Sequence, residues 1–280
     1  MSVVQALWLA VLQGFSELFP ISSIGHTVLV PKLLGWNIDQ QSRTFLPLLV
    51  TLHLGTAAAL LLFFWRDWVA LVGALLRSLV RGKLSGEPDE HLAWMLVLGT
   101  IPAGIIGLFL EGPLRRLFAA PALAAVFLII NGFIMYAGER LRLQAPPLKS
   151  RGLAALTWRR AVGIGIVQSA ALVPGISRSG VTIVAGLLAD LEHEAAARFS
   201  FLLATPIILS AGLLEVPVLL RPEGRSMLGI ALLGGVAAGI TAWLSVRFLM
   251  RYFTFGRLDP FAYYCWAFGA LALAILLVRG

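Results

Sequence analysis

Long apolar runs alternate with short polar interruptions along the whole chain. Six runs, 46–64, 92–110, 122–138, 198–217, 227–247 and 259–278, come near the length a helix needs to cross the hydrocarbon of a bilayer. Two regions break this pattern. Residues 3–15 and 27–35 are apolar but too short to span, and the polar segment 17–27 lies between them. Residues 161–189 repeat the arrangement around a second polar segment. Two short helices joined by a polar turn predict a re-entrant hairpin. Irregular backbone at that depth is tolerated only when buried in protein or lining a wet cavity. The predicted fold is all-α: six transmembrane helices plus re-entrant hairpins at 3–35 and 161–189.

The two interrupted regions are also copies of one another. At a constant offset of 155, Gln13 matches Gln168, Ile21 matches Ile176, Ser22 matches Ser177, Gly25 matches Gly180 and Thr27 matches Thr182. A fainter echo links LGTIPAGI (98–105) to LGGVAAGI (233–240), at an offset of 135. One membrane domain, 1–280, therefore divides into repeats at 1–145 and 158–280, with the proline-containing polar stretch 139–160 between them.

Composition strengthens the membrane reading. The 280 residues are 59% hydrophobic and 13% charged, with mean hydropathy +0.89, whereas a soluble domain is about a quarter charged. The net charge of +8 reads as topology-setting charge beside membrane spans and not as a nucleic-acid surface. With loops 66–91 and 139–160 on the cytoplasmic side, that side holds 14 Lys and Arg against 7 opposite: Lys32, Arg43, Arg115, Arg116, Arg221, Arg225 and Arg279. This puts both termini outside, makes the hairpins enter from opposite faces, and makes the halves inverted repeats, an architecture whose broken helices meet near the midplane. Cys265 is the only cysteine, which excludes a disulfide framework and Cys-ligated metal. Residues 3–15 lack a basic flank, so no cleavable signal peptide is expected. Trp8, Trp36, Trp65 and Trp68 fit an interfacial belt.

The chemistry-bearing residues cluster in the two polar segments. VPGISRSGVT (173–182) sets Arg178 among small and hydroxyl residues, and an intramembrane arginine is costly enough to suggest function. Gly175 and Gly180 allow close backbone approach. Ser177, Ser179 and Thr182 offer hydroxyls, and Arg178 offers a fork suited to phosphate oxygens. With the N–H groups of a helix start, these are the parts of a phosphate cradle. In the first segment Gln13 and Glu17 share a helix face, followed by Ser22, Ser23 and His26. A buried carboxylate beside a histidine can be base, metal ligand or orienter. The plainer readings are an Arg178–Glu17 salt bridge that only locks the hairpins, a satisfied interior His26, and Ser22 and Ser23 as helix caps. Glu111, Glu215 and Asp259 read as interfacial, and Asp190, Glu192, His193 and Glu194 as capping the following helix. His53 lies inside span 46–64 with no assignable role.

At these motifs the sequence resembles the bacterial undecaprenyl-pyrophosphate phosphatases, also called bacitracin-resistance proteins. QGFSELFPISSIGHT (13–27) and VPGISRSGVTIVAGLL (173–188) carry the resemblance, supported by EAAARFSFLLATPIIL (194–209). The resemblance implies an enzyme of the bacterial cytoplasmic (inner) membrane, its site facing the outer side. It would remove the terminal phosphate of a polyprenyl pyrophosphate, recycling the lipid carrier for peptidoglycan and other envelope glycans. It further implies Glu17, Ser23, His26 and Arg178 as catalytic, and Gln13, Ser22, Gly175, Ser177, Ser179, Gly180 and Thr182 as substrate-binding. A divalent cation (Mg2+ or Ca2+) is implied, with Glu17 as a candidate ligand beside the pyrophosphate; no organic cofactor is. Three positions depart from the family pattern: Ile24 replaces a frequent serine, Gln13 replaces the first glutamate of a pair, and Ile176 replaces a frequent threonine. Water, Ser23 and His26 all stand as candidate nucleophiles. The rival reading is a secondary transporter or lipid-carrier flippase, since inverted repeats with broken helices also serve transport. The glycine-rich span 227–247 could serve a homodimer or pack within the bundle.

Overall fold

A computed structural model describes residues 2–39, 42, 45–117, 120–144, 152–222 and 224–279; the side chains of 111–117 and 226 lie outside the description. Arg43, Lys149 and Arg151, and the side chains of Glu111, Arg115 and Arg116, therefore lie outside the described residues. The described chain is helical, with no strand among the described residues. Among the described residues, six helices are long and apolar enough to cross a membrane: α3 (Phe45–Phe63), α5 (Pro88–Leu117), α6 (Pro121–Gln144), α9 (His193–Leu219), α10 (Arg225–Tyr252) and α11 (Asp259–Arg279). The chain is a multi-pass membrane protein.

The shorter helices form pairs around the two polar segments. Helix α1 (Val3–Leu18) starts at a capping box between Ser2 and Gln5. It stops where Phe19, preceding Pro20, turns extended, the conformation a following proline imposes. Helix α2 (Ser23–Leu33) begins at the N-cap Ser22. In the second half α7 (Trp158–Gln168) passes through a 3₁₀ turn, Ser169–Leu172, and a loop to α8 (Arg178–Leu188), whose N-cap is Ser177. Ser22 Oγ accepts from Gly25 N at 3.1 Å, and Ser177 Oγ accepts from Gly180 N at 3.2 Å. The repeated Ser-x-x-Gly pattern thus builds the same cap twice.

Packing follows the same duplication. Helix α1 packs on α10, while α7 packs on α5; α3 packs on α9 and α6 on α11. Gly165 of α7 sits against the Gly99 carbonyl of α5, and Ala10 of α1 sits beside Gly234 of α10. Those are equivalent positions under the two sequence offsets. Gly235 of α10 receives Gly55 of α3, so this glycine-rich span packs closely within the bundle.

Ion pairs tie helix ends together. Arg198–Asp67 at 2.6 Å joins the start of α9 to that of α4 (Trp65–Arg81), and Arg160–Asp190 at 2.5 Å joins the start of α7 to the end of α8. Glu139, fully buried near the end of α6, accepts from His193 and Arg257 at 3.0 and 3.2 Å. Asp259 pairs with Arg257 at 3.0 Å. At the far end of the bundle, Arg279 Nη1 donates to Leu33 O at 2.7 Å.

Three expectations need correction. Residues 66–91, read as a basic loop, contain helix α4 (Trp65–Arg81). It buries Leu71, Ala74 and Ser78 while exposing Trp65, Val69, Val72 and Leu76 on another face. Glu192 stands at the N-cap of α9 but makes no side-chain cap bond, and its neighbours Asp190 and His193 pair with Arg160 and Glu139 instead. Glu215, read as interfacial, is buried and borders a cleft lined by α3, α5 and α9.

Candidate active site

The two polar turns meet. Ser179 Oγ donates to Phe19 O at 3.1 Å. Asn131, fully buried on α6, bridges both turns: its Nδ2 donates to Pro20 O at 3.1 Å, and its Oδ1 accepts from Ser177 N at 2.9 Å. Glycine allows this approach. Gly175 has φ +103°, and a Cβ there would overlap the Ala124 carbonyl of α6. A Cβ on Gly25 would meet Gly175 Cα at 3.1 Å. Both glycines are needed where three chain segments crowd together.

This junction brings the chemical groups together. Ser23 Oγ donates to Glu17 Oε2 at 2.5 Å. Arg178 Nε donates to Glu17 Oε1 at 3.2 Å, and its Nη1 donates to Ser200 O at 3.0 Å. The third partner of Glu17 is His53, whose Nε2 lies 3.0 Å from Oε2 and 3.5 Å from Ser23 Oγ. His53 Nδ1 donates to Leu49 O at 2.7 Å. That bond fixes the ring one helical turn above its carbonyl partner and aims Nε2 at the carboxylate.

Glu17, Ser22, Ser23, His53, Ser177 and Arg178 border one cavity of about 460 Å³. The rest of its wall is mainly apolar, with Leu46, Leu49 and Val50 from α3, Gly104, Gly107 and Leu108 from α5, and Ile207, Ala211 and Leu214 from α9. A few convergent polar groups in a mainly apolar cleft suit a ligand with a polar head and a long apolar tail.

Not every candidate reaches this cavity. Gln13 is buried elsewhere, its Oε1 accepting from Thr56 Oγ1 at 3.3 Å. Thr182 Oγ1 bonds Arg178 O at 2.7 Å, inside α8. Gly175, Ser179 and Gly180 shape the second turn without bordering the cavity. His26, expected near Glu17, is buried with both nitrogens engaged: Nδ1 donates to Ser22 O at 2.7 Å, and Nε2 lies 2.8 Å from Tyr264 Oη. Its ring stacks on Phe268 at 4.8 Å. His26 therefore braces Ser22, which holds φ +68°, a left-handed conformation costly for a non-glycine residue. The histidine at the carboxylate is His53. Asn131 is a further residue that motif reading missed; its one signal was a lone amide in an apolar span.

Both Glu17 oxygens already accept bonds, and the described residues contain no cluster of three or more His, Cys, Asp or Glu able to hold a metal. These residues do not form a resident metal cage, which for such hard cations takes several oxygens.

Known proteins match the chain along almost all of its length. The family described as bacitracin resistance protein BacA matches residues 6–271. An undecaprenyl-diphosphatase of Granulibacter bethesdensis is 50% identical over 295 residues, covering 99% of this chain and 97% of the relative. One from Acidiphilium cryptum is 51% identical over 278 residues, covering 97% of each. Another, from Mycolicibacterium paratuberculosis, is 46% identical over 302 residues, covering 100% of this chain and 99% of the relative. With the paired turns, the shared cavity and this full-length likeness taken together, the chain belongs to the bacitracin resistance protein BacA family.

Proposed function

We propose that this protein hydrolyses undecaprenyl pyrophosphate to undecaprenyl phosphate and inorganic phosphate, recycling the lipid carrier for envelope glycans and so conferring bacitracin resistance. The observation that carries this reading is the convergence of Glu17, Ser23, His53 and Arg178 on one mainly apolar cavity. The relatives named undecaprenyl-diphosphatase support it.

Ser23 is the nucleophile. It is the first residue of α2, directly after the left-handed Ser22, with its hydroxyl already bonded to a carboxylate. Its Oγ attacks the terminal phosphorus as its proton passes to Glu17 Oε2. The bridging P–O bond breaks, and its electron pair leaves on the lipid phosphate. Arg178, held by Glu17 and Ser200 O, neutralises charge on the phosphoryl oxygens. Water then attacks the phosphorus of the phosphoserine, the P–Oγ bond breaks, Ser23 Oγ takes back its proton from the Glu17–His53 pair, and inorganic phosphate leaves carrying the water's oxygen and protons. His53 keeps Glu17 aimed at Ser23 and shares its proton. The apolar walls hold the prenyl chain. A divalent cation, if one takes part, would arrive on the diphosphate's own oxygens.

The two turns are read as re-entrant hairpins of inverted repeats. Three facts support this: the duplicated Ser-x-x-Gly caps, the equivalent contacts of α1 with α10 and α7 with α5, and the opposite anchoring of the hairpins. The α2 end lies by the α11 end, while the α7 start and α8 end share an ion pair. The Lys and Arg bias supports this orientation of the spans, and the family resemblance supports an inner-membrane enzyme with its site toward the outer face. The transporter reading is not favoured, because transport needs no nucleophile beside a phosphate-binding arginine. The test is phosphate release from farnesyl pyrophosphate by purified protein in detergent, without a gradient. Steady release is expected; binding without release would point to transport.

A further inference from the structure

One polar group at the cavity is not used by this chemistry. Gln168, the last residue of α7, is only 3% exposed and borders the cavity, yet neither its Oε1 nor its Nε2 has a hydrogen-bond partner. Buried polar groups are nearly always paired, so an orphaned amide calls for an explanation. Its sequence counterpart Gln13, away from the cavity, keeps one partner: its Oε1 accepts from Thr56 Oγ1, while its Nε2 is unpaired. Among the described buried amides, Gln168 alone has neither atom paired. A second unpaired donor comes from the same half, Arg178 Nη2. The first half is saturated by contrast, with both Glu17 oxygens and the Ser23 hydroxyl engaged. At the cavity, therefore, the unused donors lie in the second repeat.

We propose that Gln168 is a second phosphate subsite, holding the lipid-linked phosphate of the diphosphate while Arg178 holds the terminal one. The inference rests on the phosphatase reading above. Its order follows from connectivity. Arg178 is bonded to the carboxylate that holds Ser23, so the phosphorus under attack is the one Arg178 binds. The other phosphate then lies toward the apolar lining, where Ala171 and Leu172 follow Gln168 along the wall. An uncharged amide suits that position. It can donate to the phosphate without adding a second cation that would bind the departing product as firmly as the substrate.

The probes are a methylene-bridged diphosphonate analogue of farnesyl pyrophosphate, which cannot be hydrolysed, and inorganic phosphate. Gln168→Leu is expected to bind the diphosphonate about tenfold more weakly, with inorganic phosphate inhibition within about twofold of wild type. Gln168→Glu should weaken the diphosphonate further, because a carboxylate would face the phosphate. Ligand-free Gln168→Leu should melt at or above the wild-type temperature, since it removes an unpaired buried amide. Wild-type diphosphonate affinity in Gln168→Leu would overturn the proposal. So would equal losses for both probes together with a lower melting temperature, which would mark a purely structural amide. Turnover of farnesyl pyrophosphate by the wild type is scored separately, so a protein that binds the diphosphonate but hydrolyses nothing sinks the phosphatase reading and leaves the subsite result to be read by itself.

Discussion

The first and second polar turns start from one sequence pattern and end in opposite chemistry. Each places a serine at a helix N-cap with its oxygen on the N–H of a glycine three residues on. Each then places the next residue at the first helical position facing the cavity. In the first turn that residue is Ser23; in the second it is Arg178. The duplication supplies the frame twice, and divergence at one position leaves a hydroxyl in one copy and a cation in the other. The backbones differ as well. The first turn puts its left-handed residue at Ser22, φ +68°, and the second puts it at Gly175, φ +103°. The strain in the first turn therefore falls on a serine, where His26 braces the carbonyl. The second avoids that strain with glycine and uses the freed space to pack on α6.

The sharpest way to break the comparison is at the divergent position. Ser23→Ala should lower kcat at least about a thousandfold with little change in KM, because the covalent route is removed. Normal turnover would show that water attacks directly. Arg178→Lys should lose about 10²–10³ in kcat, since an ammonium cannot bridge Glu17, Ser200 O and a phosphoryl group at once. Activity near wild type would reduce Arg178 to a lock between the two turns.

The backbone difference gives a pair of opposite outcomes. Gly175→Ala should destabilise the protein by about 3 kcal/mol or more, from left-handed strain together with overlap on α6. Ser22→Gly should change stability by only a few tenths of a kcal/mol, because glycine tolerates that φ and is a fair N-cap. Thermal melting in one detergent checks both. The smallest catalytic effect belongs to His26. His26→Gln, which can keep one bond to Ser22 O or Tyr264, should lower kcat by about tenfold or less and leave the pH profile unchanged. A shifted profile would restore His26 as an acid–base group.

Much of this was legible in the residues. The six spans follow from run length, and the broken helices follow from the polar interruptions. The duplicated motif marked Glu17, Ser23 and Arg178, and all three reach one cavity. The misses have physical causes. Helix α4 was hidden because Arg66, Asp67 and Arg77 read as loop, although its apolar residues recur every three or four positions. His26 was favoured because it is near Glu17 in sequence, but its helix turns it toward Tyr264 and Phe268. His53 lies far along the chain and reaches Glu17 only because α3 packs on α1. Asn131 and Gln168 are single amides in apolar surroundings, and their neighbours appear only in three dimensions.

The central claim is that residues at equivalent positions of two copies act as one catalytic unit. A double-mutant cycle on phosphate release tests this directly, using wild type, Ser23→Ala, Arg178→Lys and the double variant. Groups acting as a unit give strongly non-additive losses, so the double variant is predicted to be no slower than Ser23→Ala alone within about threefold. A double variant slower by the product of the two single losses would mean that the turns act independently, and would contradict the account.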